Sequence, residues 1–253
     1  MKIDLHLHTS EHSGCASSGE REQIEAAISY GLDALTITDH DVLCDISHIA
    51  LLNKEYAPFK IFPGIEVRTR KLNEDFVVLG IQDDELQARF WDYEDLHAFV
   101  REKNGYIIYC HPYRFKNTVP DAVFTHIPDA VEIHSTNIGA CDYERILSLA
   151  QTLNIKTVAN SDSHHKSTAG IYHNILENDV STEAELVAEL KKGTFTSGAD
   201  DLRIRRYNAE IGERERYIKR LIEEGKDAAY YSEKTNQWHG FYDRVAMGKS
   251  YLL

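Results

Sequence analysis

The residues that could carry chemistry in this chain are histidines and acidic residues that follow short apolar segments. They are His6 and His8 after residues 2–5, Asp39 and His40 after 34–38, Glu66 after 60–65, His111 after 106–110, His134 after 130–133, and Asp162 and His164 after 156–160. Imidazole and carboxylate groups together suit zinc, manganese or iron. Repeated strands that end in such residues deliver them to one face of the fold. The sequence therefore predicts a site for several metal ions.

The spacing within these groups also favours metal binding. Side chains alternate along a strand with a period of two, so His6 and His8 point to the same side and can bind one ion. Asp162 and His164 repeat that arrangement on another strand. Glu66 offers two carboxylate oxygens and can bridge two ions. We therefore expect at least two divalent ions.

Strand-like segments alternate with helix-like segments through residues 1–199. Residues 20–30 have helical spacing and stop before Gly31, and Thr182 stands three residues before Glu185, as in a capping box. Residues 76–81 predict a strand that forms a local hairpin with the strand before it. The six or seven β-α repeats imply parallel strands. Ligands on so many strands favour a closed barrel, with an open doubly wound sheet as the alternative.

The pattern changes after residue 199. Residues 207–224 predict a charged helix with a narrow apolar stripe, and the segment that follows is too aromatic for a disordered tail. We predict a barrel domain over residues 1–199 and a helical, aromatic-rich extension over residues 200–253. The extension is expected to pack on the barrel or on a second subunit, which would make a homo-oligomer.

Composition limits the possible partners and compartments. The net charge of -13 disfavours long nucleic acid and suits a small anionic substrate held by metal and a few arginines. No apolar run approaches the roughly 20 residues of a membrane span. The first residues read directly as a strand, without a leader pattern, and no C-x-x-C motif occurs, which predicts a reduced cytoplasmic protein. The cysteines are expected to be ordinary thiols: Cys15, Cys44, Cys110 and Cys141.

Six short motifs resemble, in order and spacing, those of the PHP (polymerase and histidinol phosphatase) family. They are DLHLHTSEHSGCAS, ITDHD, PGIEV, YCHPYR, VEIHS and NSDSH, within residues 1 to about 200. The resemblance implies a distorted (β/α)7 TIM-like barrel with a two- or three-metal phosphoesterase site. It also implies a ligand set for each ion: His6, His8, Glu66 and Asp162 for the first, Glu66, His111 and His134 for the second, and His40 and His164 for the third.

The chain departs from this pattern at one place. Many relatives have an aspartate or a histidine five or six residues after the second histidine of the first motif, where this chain has Ser13 and Gly14. Glu11 is the favoured replacement as a metal ligand, because a carboxylate in that loop can swing toward the third ion. His12 is the alternative, and a solvated loop is the third possibility.

Arg114, three residues after His111, is the predicted phosphate-binding residue, because a guanidinium can grip two phosphoryl oxygens. Asp39 is expected to orient a ligand or to cap the following helix. His40 or a water linked to Asp162 could assist the leaving group. The other basic candidates are Arg68, Arg70, Lys116 and Lys166, and the histidines outside the pattern are His48, His97, His126, His165, His173 and His239.

Three functions are compatible with these residues. The favoured one is hydrolysis of a small phosphomonoester, of a nucleotide, sugar or amino alcohol, by water activated between two or three zinc, manganese or iron ions. The second is an exonuclease or phosphodiesterase that acts on short oligonucleotides, with aromatic side chains stacking on the bases. The third is a metal-binding regulatory module without turnover.

Overall fold

The computed structural model describes all 253 residues, which form nine strands and ten α-helices. The strands are β1 (Lys2–Leu7), β2 (Ala34–Ile37), β3 (Lys60–Arg68), β4 (Asp75–Leu79), β5 (Tyr106–Tyr109), β6 (Ala130–His134), β7 (Lys156–Ala159), β8 (Tyr172–Ile175) and β9 (Thr196–Ala199). The helices are α1 (Glu20–Ser29), α2 (Ile46–Glu55), α3 (Glu85–Ala88), α4 (Tyr93–Glu102), α5 (Asp121–Thr125), α6 (Tyr143–Leu153), α7 (Glu183–Lys192), α8 (Asp201–Glu223), α9 (Ala228–Thr235) and α10 (Gly240–Ala246). None of the helices has both the length and the apolar character that a membrane span requires.

The helix boundaries follow from local hydrogen bonding. In α7 the predicted capping box forms, with the Thr182 hydroxyl accepting the backbone N–H of Glu185 at 3.2 Å. Gly193 ends that helix at φ +66°, a left-handed conformation that costs glycine little. The Asp45 side chain accepts two backbone N–H groups at the start of α2.

All nine strands belong to one sheet in the order β7-β6-β5-β4-β3-β2-β1-β8-β9. The neighbours β1–β2, β2–β3, β5–β6 and β6–β7 are parallel. The neighbours β3–β4, β4–β5, β1–β8 and β8–β9 are antiparallel. The parallel strands β1, β2 and β3 on one side and β5, β6 and β7 on the other end at one edge, and this edge carries the predicted site.

The sheet curls into a nearly closed barrel whose seam lies between β7 and β8. The backbones of β7 and β8 are not paired by hydrogen bonds across the seam. The side chain of Asn174 bridges the two strands instead. Its Oδ1 accepts the backbone N–H of Ala159 at 3.1 Å, and its Nδ2 donates to the carbonyl of the same residue at 2.9 Å. One buried amide thus satisfies two backbone groups that would otherwise have no partner.

The predicted α/β barrel with a helical C-terminal portion is confirmed, but the strand directions differ from a regular (β/α)7 array. The hairpin of β3 and β4 was expected, whereas the antiparallel strands β8 and β9 were not. The sequence reading missed β8 because its four residues, Y-H-N-I, have neither an apolar run nor a clean alternation. Helix α8 begins at Asp201, six residues earlier than the predicted start at residue 207.

The helices α8, α9 and α10 have a small core of their own, formed by Ile218, Leu221, Tyr231 and Val245. The extension also contacts the barrel. Arg244 is fully buried and donates to the carbonyl of Asn137 at 2.6 Å, and the N–H of Ala140 donates to the carbonyl of Leu252 at 2.7 Å. The C-terminal segment is therefore packed on the barrel, while the division into two domains at residue 200 stays a prediction.

Candidate metal centre

Four side chains meet at the barrel edge where β1, β3 and β7 end. Nε2 of His6 lies 3.1 Å from Nε2 of His8, 3.4 Å from Oε1 of Glu66 and 3.5 Å from Oδ1 of Asp162. Nε2 of His8 lies 3.3 Å from Oε2 of Glu66 and 3.3 Å from Oδ1 of Asp162. Ligand atoms about 2.0–2.1 Å from a tetrahedral zinc ion lie about 3.3 Å from one another. His6, His8 and Glu66 therefore offer mutually close ligand atoms for one divalent ion, and Asp162 offers a fourth ligand atom near both imidazoles.

Two of these carboxylate oxygens have no hydrogen-bond partner. Oε2 of Glu66 and Oδ1 of Asp162 are buried and unpaired, and both side chains are about 1% exposed. An unpaired carboxylate oxygen inside a protein is costly unless a cation compensates it. Asp162 also has a positive φ of 49°, and backbone strain of this kind in a non-glycine residue concentrates at functional sites.

The charges of the four groups depend strongly on each other. Burial raises the pKa of Glu66, but the imidazoles of His40 and His6 outweigh it and hold that pKa well below its usual range. Burial lowers the pKa of His6, but the carboxylates of Asp162 and Glu66 raise it well above its usual value. Burial and the nearby His164 lower the pKa of His8 to about 3. His8 is thus a neutral donor, whereas His6 must release a proton to bind metal.

A second group of candidate ligands adjoins the first. Nε2 of His111 lies 3.1 Å from Oε1 of Glu66, 3.7 Å from Oδ2 of Asp162 and 3.8 Å from Oδ2 of Asp75. Ligand atoms of Glu66, Asp75 and His111 all lie within 4.8 Å of one another. Glu66 faces both positions, as expected of a bridging carboxylate. Arg68 grips Asp75 with two hydrogen bonds of 2.7 and 2.6 Å, which fixes the orientation of this carboxylate.

Sequence reasoning missed Asp75 because this residue precedes an apolar segment instead of following one. The strand β4 runs antiparallel to β3 and β5, so its first residue lies at the edge where those two strands end. The predicted hairpin contained the signal, because the start of its second strand must lie beside the end of its first.

His134 does not join the group of ligands. Its ring stacks between Tyr143 and Tyr172, with centroid distances of 5.3 and 4.9 Å. In a regular strand His134 would point to the same side as Glu132, which faces inward. The register of β6 against β7 shifts between these two residues, so His134 does not follow that alternation. The ligand role that the resemblance implied for His134 has no geometric support here.

Glu132 occupies the interior in place of His134. Its Oε1 accepts from Nδ1 of His6 at 3.0 Å and from Nδ2 of Asn160 at 2.9 Å, and its Oε2 accepts the backbone N–H of His111 at 3.2 Å. A proton held on Nδ1 of His6 leaves the lone pair of Nε2 directed at the four-ligand position. Sequence reasoning passed over Glu132 because the histidine at the strand end looked like the better ligand.

A third group contains imidazoles of His8, His40 and His164, whose ligand atoms lie within 4.8 Å of one another. Nδ1 of His40 lies 2.8 Å from Oε2 of Glu66, though not along a hydrogen-bond direction. Burial lowers the pKa of His40, but Glu66 and Cys15 outweigh it and raise the value to about 11. Burial raises the pKa of Cys15, but His164 and His40 lower it to about 6.

The loop residues proposed as replacement ligands lie elsewhere. Both carboxylate oxygens of Glu11 accept the backbone N–H of Glu20, at 3.1 and 3.0 Å, at the start of α1. The first N–H groups of a helix lack partners and attract a carboxylate, which explains this placement. His12 is exposed, and nothing brings its imidazole to the three histidines. The structure does not bring Glu11 or His12 to the centre.

Asp39 orients the loop after β1. Its carboxylate accepts the backbone N–H of Thr9 at 2.7 Å, the Thr9 hydroxyl at 2.6 Å and the Ser13 hydroxyl at 2.6 Å. It does not cap α2, since Asp45 does so. Asp39 therefore acts on the metal centre through the loop that carries His8 and Cys15.

A cavity of about 260 Å³ opens beside the second group of candidate ligands. Arg114 lines it, and Nε of Arg114 is buried with no hydrogen-bond partner. The other basic candidates have partners: Arg68 binds Asp75, Lys116 binds Glu74, Arg70 binds the carbonyl of Phe90, and Lys166 binds Glu22. The cavity is lined by Arg68, Asn73, Glu74, Asp75, His111, Tyr113, Arg114, Phe115, Lys116, Trp238, His239, Gly240 and Asp243. Arg114 is thus the basic side chain with free hydrogen-bonding capacity beside the metal positions.

Most histidines outside the motif pattern have local partners. His48 contacts Glu20, His97 the carbonyl of Ile127, and His173 the carbonyl of Gly170. His126 contacts Thr125, and His165 contacts Ser167. His239 pairs with Asp243 and also lines the cavity, a position that no sequence pattern predicted.

Comparison with known proteins relates this fold to that of PHP-like proteins. A PHP-associated family model matches residues 142–195. A two-domain protein from Bacteroides vulgatus, described as containing a predicted PHP-like metal-dependent phosphoesterase, has a similar structure, with a TM-score of 0.60 and 14% identity over 79% of this chain and 64% of that one. The fold of this chain is therefore similar to that of PHP-like structures, as the sequence motifs predicted. These matches agree with the predicted resemblance to the PHP family and with the predicted enzyme class, a metal-dependent phosphoesterase.

Two further structures share the fold of this chain. One, from Bifidobacterium adolescentis and provisionally assigned as a metal-dependent phosphoesterase, has a TM-score of 0.57 and 13% identity over 76% of this chain and 96% of that one. The other is a lesion-specific endonuclease from Pyrococcus furiosus, with a TM-score of 0.56 and 16% identity over 78% of this chain and 57% of that one. The chain thus spans under two thirds of the Bacteroides and Pyrococcus proteins. No curated protein matches the sequence significantly.

Proposed function

We propose that this chain hydrolyses a small phosphomonoester, such as a nucleotide, sugar or amino-alcohol phosphate, with two or three divalent ions. One observation carries the proposal. The buried, unpaired oxygens of Glu66 and Asp162 lie among imidazole nitrogens at distances that fit a divalent ion. The mixed imidazole and carboxylate donors suit zinc, manganese or iron.

The proposed ligands divide into three sets. The first is His6, His8, Glu66 and Asp162, the second is Glu66, Asp75 and His111, and the third includes His40 and His164. Divalent ions bound in adjacent positions lower the pKa of a water between them and neutralise charge on the phosphoryl oxygens.

The protein side chains supply positioning and protons. The guanidinium of Arg114 grips the phosphoryl oxygens from the cavity, because its Nε has no protein partner. His40 has a side chain that is 32% exposed, so when it does not bind an ion it can hold a proton within reach of a leaving group at the edge of the centre. Asp162 orients water near the same position.

The size and charge of the cavity favour a small substrate. A volume of about 260 Å³ accommodates a compact group beside the phosphate rather than a long chain. Glu74 and Asp243 line the cavity as well, and the whole chain carries a net charge of -13. Each further phosphate of a polyanion would therefore meet repulsion outside the centre.

One observation favours a second candidate, a phosphodiesterase or exonuclease acting on short oligonucleotides. The rings of Phe115 and Trp238 lie edge to face at 5.9 Å, and the Arg114 guanidinium lies 5.0 Å from each ring. Aromatic and guanidinium groups beside a phosphate site can stack on bases. The endonuclease with a similar fold adds only the precedent of that fold.

The test is a screen of the metal-reconstituted protein against phosphomonoesters, phosphodiesters and short oligonucleotides, with Asp162→Asn as the control for a contaminating phosphatase. The proposal predicts a higher kcat/KM for a mononucleotide or sugar phosphate than for single-stranded oligomers, at both low and moderate salt. Faster turnover of oligomers at low salt would support the nuclease instead. Bound metal without any turnover would support the third alternative, a regulatory module.

Two further expectations stay proposals. All four cysteines are free thiols, which supports a reduced cytoplasmic location. Trp238 and Met247 of the C-terminal segment are 44% and 46% exposed and could contribute to the interface of a homo-oligomer.

A further inference from the structure

The cavity of about 260 Å³ has walls from two distant parts of the chain. His111 and Arg114 come from the loop after β5. Trp238 comes from the turn between α9 and α10, and Asp243 comes from α10. A molecule in this cavity can therefore contact the barrel loop and the C-terminal segment at the same time.

The C-terminal segment is fastened to this barrel loop. Nζ of Lys249 donates to the carbonyl of Lys116 at 2.9 Å and also to the carbonyl of Tyr113. Tyr113 has a positive φ of 66°, which is unfavourable for a bulky side chain, so contacts from outside the loop are needed to hold its shape. Lys249 is largely buried, which shelters these hydrogen bonds from water. The two walls are thus held in a fixed relation to each other.

Trp238 presents part of its indole ring to the cavity. The ring packs closely on Gly240, where an added Cβ would lie 2.4 Å from Cζ2 and Cη2 of the indole, so a larger residue would displace the ring. The guanidinium of Arg114 lies 5.0 Å from the centroid of the Trp238 ring, and the ring of Phe115 meets it edge to face at 5.9 Å. The side chain still is 44% exposed, so a large part of its surface is free for a ligand.

The lining of the cavity suits a ligand with two different parts. Nε of Arg114 is buried without a hydrogen-bond partner and can bind a phosphoryl oxygen. The rings of Trp238 and Phe115 can stack on a planar ring, a contact that a plain sugar or amino alcohol cannot make. The carboxylates of Glu74 and Asp243 also line the cavity and can accept the N–H groups of a heterocycle.

We propose that Trp238 is a specificity-determining residue that selects phosphomonoesters with a planar heterocyclic ring, such as a mononucleotide, over plain sugar and amino-alcohol phosphates. The ring of the substrate stacks on the exposed part of the indole while Arg114 holds the phosphate. The inference rests on the proposed phosphomonoesterase function and narrows its substrate class. It also gives the C-terminal segment a part in substrate binding.

The experiment compares adenosine 5′-monophosphate with ribose 5-phosphate, because both esters release the same kind of alcohol and only the first carries a planar ring. Trp238→Ala should lower kcat/KM for the nucleotide about 5- to 150-fold, the range of a lost base–aromatic stack, and leave that for ribose 5-phosphate within about twofold. Trp238→Phe should retain part of the preference. Gly240→Ala should lose it, because the added methyl group displaces the indole.

Phe90→Ala is the matched control. Phe90 is 76% exposed, and the guanidinium of Arg70 lies 5.6 Å from the centroid of its ring, which repeats the contact between Arg114 and Trp238. Phe90 does not line the cavity. This variant should therefore keep the ratio of the two kcat/KM values found for the wild type.

A binding measurement tests the same contact without turnover. The chain has two tryptophans, and Trp91 is only 1% exposed, so quenching of the fluorescence by a small molecule reports on Trp238. Adenosine should quench the fluorescence of the metal-loaded wild type in a saturable way, whereas ribose should not. Trp238→Phe should lose this quenching.

The outcomes separate this inference from the proposed function. If Trp238→Ala lowers kcat/KM for both substrates by the same factor, the role of Trp238 in specificity is overturned and the phosphomonoesterase stands. Loss of an oligomer in Trp238→Ala, with an unchanged ratio of the two kcat/KM values, would overturn it in favour of a subunit contact. Saturable quenching by adenosine in a protein that hydrolyses no phosphomonoester would overturn the proposed function, whereas the ring-binding wall would stand.

Discussion

Replacing Glu132 tests whether this carboxylate controls the metal centre by orienting His6, without binding metal itself. It accepts three hydrogen bonds, from His6, Asn160 and the backbone of His111. In Glu132→Gln the side-chain amide oxygen can still accept hydrogen bonds. The amide nitrogen is itself a donor, however, and would face another hydrogen-bond donor. If the oxygen stays with His6 and Asn160, the N–H of His111 loses its acceptor inside the protein.

Two losses of different kinds follow. An unpaired buried donor costs about 1–3 kcal/mol of folding free energy. The imidazole of His6 also becomes a weaker donor, because the negative charge behind its Nδ1 is removed. Removing a carboxylate that orients a metal-binding histidine typically weakens metal binding about 10- to 100-fold, or about 1.4–2.7 kcal/mol.

The assays separate these losses. Chelator competition with zinc gives the change in metal affinity, and urea unfolding in the presence of a chelator gives the change in stability without metal. Glu189→Gln is the control. Glu189 lies on α7, is another buried carboxylate, and binds Asn178 and Lys192. If Glu132→Gln retains zinc affinity within about twofold of the wild type, the orienting role of Glu132 is refuted.

Three further predictions concern the same site. Glu66→Gln should lose most bound metal and phosphatase activity together, because Glu66 faces both ion positions; a variant with full metal content by elemental analysis would contradict this. Arg114→Ala should lower kcat/KM by about 2–3 kcal/mol with unchanged metal content, the scale of a lost charge-assisted contact; loss of metal would make Arg114 structural. His40 has its pKa raised to about 11, so it is protonated at neutral pH and metal affinity should rise with pH as that proton is released. Titration calorimetry of zinc binding in buffers of different ionisation heat checks this, and equal heats would show that no proton is released.

Local patterns in the sequence were sufficient for the elements with strong signals. Helix α1 lies within one residue of its predicted limits and α7 begins directly after Thr182, because apolar spacing and capping signals act over a few residues. The same holds for ligands on strands that end at the site. His6, His8, Glu66, His111 and Asp162 are brought together as predicted.

Residues whose direction depends on strand pairing could not be predicted with the same success. Asp75 reaches the centre because β4 is antiparallel to both neighbours, and β8 is a strand only because β1 and β9 pair with it. His134 turns away because the register of β6 shifts against β7. Strand direction and register are set by the partner strand, which lies far away in the chain.

The sequence by itself determined the resemblance to the PHP motifs, the α/β alternation and the chemical types of the candidate ligands, because motif order and apolar period are properties of neighbouring residues. Only the tertiary structure decided which donors face the metal positions. It engaged Glu11 at the start of α1 and turned Glu132 inward in place of His134. These outcomes depend on competition for hydrogen bonds between segments that meet only in the folded barrel.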